Sequence, residues 1–182
     1  RGLKGSVYEG GIRVPLIATW PGHIEAGSSD DTVVANWDFF PTVMKLTGAS
    51  TTATLDGIDF SPVLLGEGDA PKREALYWEY HSRGGMQAVR MGKWKALRMK
   101  AHGQPDATIE LYDLEHDPTE STDVASDNLA VVKRIEAIMR ESRVPSEIPS
   151  WNFAADERTK ESDATVLRFE SGEETRRFLL HT

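Results

Sequence analysis

Gln87-Ala88-Val89-Arg90-Met91-Gly92-Lys93-Trp94-Lys95-Ala96-Leu97-Arg98 decides the fold of the second half of the chain. Residues 87–90 and 94–98 are two short runs joined by a tight Met91-Gly92-Lys93 connection, the pattern of a β-hairpin. Outward from it, residues 75–80 read as a strand rich in aromatic side chains. Residues 109–113 alternate enough for a fourth strand, with the loop His102-Gly103-Gln104-Pro105-Asp106 before it. A small four-stranded antiparallel sheet is therefore expected within residues 73–114.

From Asn128 to Arg143 the apolar spacing becomes helical. Leu129, Val132, Ile135, Ile138 and Met139 share one face, and Lys133, Arg134, Glu136, Arg140 and Glu141 share the other. Asp127 is the expected cap. Such a helix covers one face of the sheet, giving an α+β arrangement. Pro145 and Pro149 end it, and Trp151 and Phe153 are suited to anchor the tail back onto the body. Residues 154–182 form a charged tail with two apolar clusters, Val166, Leu167, Phe169 and Phe178, Leu179, Leu180. They read either as a docked strand and helix or as disorder.

Before the sheet the pattern differs. Val14-Pro15-Leu16-Ile17-Ala18-Thr19-Trp20, ended by Pro21-Gly22, reads as a buried strand of a largely parallel sheet. Asp38 as N-cap, Pro41 in the first turn and Gly48 at the end predict a helix over 39–47, with Phe40, Val43, Met44 and Leu46 facing inward. Ser61-Pro62 through Gly66 predicts a second, short helix. The Gly/Asp/Pro-rich residues 67–72 are the linker. The class is α/β, with an α+β second part: domains 1–70 and 71–153, and the tail 154–182.

The chain opens with Arg1-Gly2-Leu3-Lys4-Gly5-Ser6-Val7-Tyr8-Glu9-Gly10-Gly11-Ile12-Arg13-Val14-Pro15. Glycines on both sides of Lys4 allow a close backbone approach, and a lysine held there can place a compact charge with three donors on an anion. Glu9 and Arg13 are spaced to pair. The spacing equally fits a glycine-rich surface turn with a solvated lysine, since neither a Walker pattern nor a Rossmann glycine triplet is present.

These stretches together resemble the sulfatase family of the alkaline-phosphatase-like superfamily. The resemblance rests on Gly2-Leu3-Lys4-Gly5, Tyr8-Glu9-Gly10-Gly11-Ile12-Arg13-Val14-Pro15, Trp20-Pro21-Gly22 and Asp38-Phe39-Phe40-Pro41-Thr42. It continues through Leu46-Thr47-Gly48, Asp56-Gly57, Ala88 to Lys95, Glu110-Leu111-Tyr112-Asp113-Leu114 and Asp117-Pro118. It covers roughly residues 1–150 and implies the C-terminal portion of such an enzyme: the end of an alkaline-phosphatase-like α/β domain, then the small sheet with its helix.

The resemblance implies hydrolysis of a sulfate ester, aryl or carbohydrate, with Lys4 contacting the sulfate group. The family's nucleophile, a formylglycine made from Cys or Ser in Cys/Ser-x-Pro-x-Arg, and its calcium ligands are expected in a preceding N-terminal part. The sequence here has no cysteine and no Ser-x-Pro-x-Arg, and Asp30-Asp31 follows Trp-Pro-Gly, so it is not the family's aspartate pair. This segment alone is expected to be inactive and to bind neither group. His81 and Arg83, in the polar loop after the aromatic strand, are candidate substrate contacts, because loops of this subdomain can border the cleft in the family. Expected partners are a sulfated small molecule or glycan and the N-terminal part of the same enzyme. The alternatives are a phosphodiesterase or phosphonate hydrolase of the same superfamily, and a non-catalytic carbohydrate-binding module.

The remaining features exclude more than they assign. A net charge of −8 over 182 residues argues against a nucleic-acid surface, so any site for an anion must be a local cationic pocket. No apolar run approaches the ~20 residues needed to span a bilayer. Without cysteine, disulfides are impossible and the redox compartment is unconstrained. The resemblance alone suggests a periplasmic or secreted location. His23, His102, His116 and His181 read as solvated, as do the carboxylates of 114–126, which have no metal-loop spacing. Tyr77, Trp78 and Tyr80 are read as packing, with stacking on a sugar ring the other reading.

Overall fold

The computed structural model describes residues 1–104 and 107–153, and the backbone of 165–171 and 174–180. In chain order the elements are α1 (Glu9–Ile12), α2 (Phe39–Thr47), α3 (Ser61–Leu65), β1 (Leu76–Tyr80), β2 (Met86–Met91), β3 (Trp94–Met99), β4 (Ile109–Asp113), α4 (Leu129–Ser142), β5 (Thr165–Ser171) and β6 (Glu174–Leu180). They fall into two compact units: Arg1–Arg13 with the chain from Ala75 onward, and Val14–Glu74. The division thus comes at 74/75, and the first thirteen residues group with the sheet.

The sheet has the order β1-β2-β3-β4, antiparallel throughout, as the hairpin signal predicts. Met91 pairs with Trp94, leaving Gly92-Lys93 as a two-residue turn. Gly92 supplies the positive φ, 57°, that such a turn needs at its first position. Val89, Ala96, Ile109 and Leu111 line one face and pack against Ile135, Ile138 and Met139 of α4. Met86, Ala88, Leu97 and Tyr112 line the other, and Val7 and Tyr8 of the N-terminal segment cover it. Burial on both faces explains why neighbours such as Ala88-Val89 and Ala96-Leu97 are all fully buried, where alternation would leave one of each pair in water.

Several expectations need correction. Leu129 is exposed: as the first residue of α4 it sits beside a groove of about 430 Å³ also lined by Ile109, Val132 and Glu136. Asp127 does not cap α4. It lies in a 3-10 turn, Ala125–Asp127, and Asn128 precedes the helix while donating Nδ2 to the Val124 carbonyl at 2.8 Å. Glu120 is not solvated but fully buried. The cluster Phe178-Leu179-Leu180 is in strand β6, paired antiparallel with β5 from Thr165↔Leu180 to Ser171↔Glu174, and is not a helix.

Within Val14–Glu74, residues 14–20 form no strand and are exposed, Ile17 to 87%. A strand exists only through a hydrogen-bonded neighbour, and no described strand pairs with this run. Helix α2 has the predicted bounds, but Phe40 faces outward and Thr42 is the buried residue. Asp38 makes no cap hydrogen bond to α2. Its buried carboxylate instead accepts from Ala35 N at 2.7 Å, Ile58 N at 3.0 Å and the Arg73 guanidinium. Thr42 Oγ1 donates to Asp38 O at 2.7 Å and accepts from Phe60 N at 3.0 Å, tying α2 to α3.

Candidate functional site

Lys4 lies on a loop closed by glycines and backed by the sheet. Gly5 has φ 80°, a conformation that costs an L side chain dearly. A β-carbon there would also lie 3.3 Å from the Tyr80 hydroxyl and 3.6 Å from Arg83 Nη2. The end of β1 and the loop after it therefore meet the backbone next to Lys4. Lys4, Tyr80 and Arg83 are all exposed. Among the described residues, no carboxylate pairs with Lys4 or Arg83. Two cations without acidic partners, beside a hydroxyl and a close-approach backbone, can receive an anion through charge-assisted hydrogen bonds.

His81 is placed differently. Its Nδ1 is 3.1 Å from the Trp151 carbonyl, so Nδ1 carries the proton. Its ring stacks on Trp151 at 4.9 Å and lies 6.1 Å from Phe153. Phe153 is buried and sits 4.3 Å from the Arg143 guanidinium, which also pairs with Glu79. The anchoring expected of Trp151 and Phe153 is thus present, and His81 is part of it. His102, expected to be solvated, packs its ring 5.0 Å from Phe153. The structure brings Arg83 to the Lys4 loop and turns His81 into the aromatic cluster.

The loop is held from behind by charges that the sequence pattern does not reveal. Glu9 does not pair with Arg13. Helix α1 is a single turn, and Glu9 turns inward to meet Lys95 Nζ at 2.7 Å and Arg90 Nη1 at 3.5 Å. Glu120 accepts the Glu9 amide at 2.9 Å. Burial lowers the Lys95 pKa and raises that of Glu120, while the Glu9 hydrogen bonds oppose both shifts. Tyr8 and Tyr112 both donate to Glu110, the latter at 2.7 Å. Burial and the Glu110 carboxylate push Tyr8 up to about 12. Trp78 packs against this core and Tyr77 against the other, each half-buried.

The only cluster of metal-ligating types among the described residues is Asp113, Glu115 and His116 on the surface. Asp113 already receives Lys93 Nζ at 2.6 Å and faces His116 Nδ1 at 3.1 Å. Calcium takes six to eight oxygen ligands, and this group does not fit that requirement. No helix among the described residues is long and apolar enough to cross a membrane.

Residues 3–144 match the family described as N-sulphoglucosamine sulphohydrolase, C-terminal. Arylsulfatase A of Bos taurus is 33% identical over 162 residues, covering 74% of this chain and 32% of that protein. A solved structure of Ps i-CgsB in complex with k-i-k-neocarrahexaose is 29% identical with a TM-score of 0.58, covering 68% of this chain and 27% of that one. BT4656, solved in complex with its substrate D-glucosamine-2-N,6-O-disulfate, shares the fold at a TM-score of 0.56 and 24% identity, over 68% of this chain and 26% of that one. The chain spans about a third or less of the length of each.

Proposed function

This chain belongs to the N-sulphoglucosamine sulphohydrolase C-terminal family of the sulfatases, and on that premise we propose that it is the C-terminal portion of an enzyme that hydrolyses sulfate esters. In this portion Lys4 binds the sulfate group and Arg83 meets the substrate beside it. The observation that carries the reading is the loop at Gly5. A lysine with no described acidic partner stands next to a glycine against which a second unpaired cation and the Tyr80 hydroxyl are packed. In a chain of net charge −8, such a local concentration of positive charge suits an anionic ligand.

Lys4 neutralises negative charge on the sulfate or on the oxygen that leaves as the S–O bond breaks. Arg83 and Tyr80 lie where the organic part of the substrate, or a second sulfate on it, can be read. A sulfated glycan is the favoured substrate class, because the similar Ps i-CgsB was solved with a neocarrahexaose. The rest of the same enzyme is the partner of this portion. Residues 14–20, apolar and exposed, offer it a surface to cover. Calcium and formylglycine belong to that other part: among the described residues the Asp113, Glu115 and His116 cluster does not fit the metal, and the chain holds no cysteine and no Ser-x-Pro-x-Arg.

Kinetics of Lys4→Ala in the complete enzyme test the assignment. Loss of one such donor costs on the order of 10²–10³ in kcat. Lys4→Arg should rescue poorly, because a planar fork replaces a compact point charge. A folded Lys4→Ala enzyme with kcat and kcat/KM within about threefold of wild type would defeat the proposal.

A further inference from the structure

We propose that Glu9 is the positioning residue for the Lys4 loop, with Lys95 and Arg90 of the sheet gripping its carboxylate and Glu120 its amide. The inference rests on reading Lys4 as the sulfate-binding cation. Lys4 is exposed and has no described partner of its own, so the place of its ammonium depends on the backbone that carries it.

That backbone is packed atom against atom onto α1. Gly10 N donates to the Arg1 carbonyl at 2.8 Å. A β-carbon on Gly10 would lie 2.4 Å from the Gly2 carbonyl oxygen. One on Gly11 would lie 2.1 Å from Ser6 O and 2.8 Å from Leu3 O. No side chain fits at either position, so the Gly2–Ser6 backbone moves wherever α1 sits. Val7 and Tyr8 bury α1 against the sheet, but apolar burial is not directional and does not fix where a one-turn helix stops along that face.

The ionic contacts do fix it. Lys95 is fully buried, 2.7 Å from Glu9 Oε1; Arg90 approaches Oε2 at 3.5 Å; and the buried Glu120 takes the Glu9 amide at 2.9 Å. Lys95 and Arg90 are directly opposed across the β2–β3 hairpin, so both charges ride on one rigid ladder. A buried ion pair is often no more stabilising than a well-packed apolar pair, and its best-attested use is to specify register. Here the register is that of the Lys4 loop against the sheet whose β1 end also carries Tyr80, with Arg83 in the loop beyond.

A double-mutant cycle in the complete enzyme separates positioning from mere stability. Glu9→Gln and Lys95→Met are each made in the wild-type and in the Lys4→Ala background. kcat/KM on an aryl sulfate and inhibition by inorganic sulfate are measured, with folding checked by thermal melting. A loop shift of about 1 Å can cost on the order of 10²-fold, so each variant should lose roughly 10- to 100-fold and bind sulfate more weakly when Lys4 is present. In the Lys4→Ala background the same changes should cost less than about threefold. Equal losses in both backgrounds would overturn the inference and leave the role of Lys4 standing. An unimpaired Lys4→Ala enzyme would overturn both. Should Lys95→Met fail to fold, Glu9→Gln and Glu120→Gln, which keep shape and hydrogen-bonding oxygens, complete the cycle.

Discussion

The buried Asp38 carboxylate accepts a hydrogen bond from the Arg73 guanidinium across 35 positions of sequence, and this pair ties the start of α2 to residue 73. Removing one member of a buried pair leaves the other charge uncompensated, at a cost of about 3–5 kcal/mol. Asp38→Ala also frees the amides of Ala35 and Ile58. A thermal melt of the protein should show a clear loss of stability. A melting temperature equal to wild type would show that the pair is dispensable.

Arg83 and His81 should separate in their effects. Arg83→Ala should raise KM on a sulfated glycan and leave a minimal aryl sulfate almost untouched, because the proposed reading gives Arg83 the organic part of the substrate and Lys4 the sulfate. His81→Ala should act through stability, by unstacking Trp151 and freeing its carbonyl. Equal kinetic losses on both substrates for Arg83→Ala would contradict its peripheral place.

Ile135 and Leu129 lie on the same helix and answer oppositely. Ile135 is fully buried against Val89, Ala96 and Leu111, and Ile135→Ala should cost about 2–5 kcal/mol. Exposed Leu129 should tolerate Leu129→Ala within about 0.5 kcal/mol. Chemical denaturation of the two variants side by side decides this, and equal losses would mean α4 is docked differently.

Asp117 organises its turn by accepting hydrogen bonds from the amides of Thr122 at 2.8 Å and Ser121 at 2.7 Å. The Thr122 hydrogen bond is the chief cause that lowers its pKa from 3.8 to about 2. A depressed carboxyl favours the folded state when charged. Its contribution is complete above the ordinary value of 3.8 and is lost as pH falls through about 2. An NMR titration of the Asp117 side chain should show that low midpoint; one near 3.8 would show that the turn does not hold the carboxylate.

Local signals in the sequence carried most of the sheet and the helices. The two-residue turn at Gly92-Lys93, the proline and glycine of α2 and the helical stripe of α4 each depend on neighbours a few positions away. Whatever depended on distant partners was not legible. Glu9 meeting Lys95 spans 86 positions, and the spacing of Glu9 to Arg13 suggested a nearer partner. The second cover of the sheet was hidden because Val7 and Tyr8 carry no periodic pattern. At the site, Lys4 stood out through its motif. The meeting of Gly5 with Arg83 needed the three-dimensional path of β1, and the packing of His81 was hidden because its partner, the Trp151 carbonyl, lies 70 positions on.

The two-sided burial of the sheet also orders its assembly in time. Residues 1–13 leave the ribosome well before Arg90, Lys95 and Tyr112, which they cover or grip. Until β3 and β4 exist, Val7 and Tyr8 have nothing to bury against. Such non-local closure slows folding. The N-terminal strap can therefore dock only once β3 and β4 are in place.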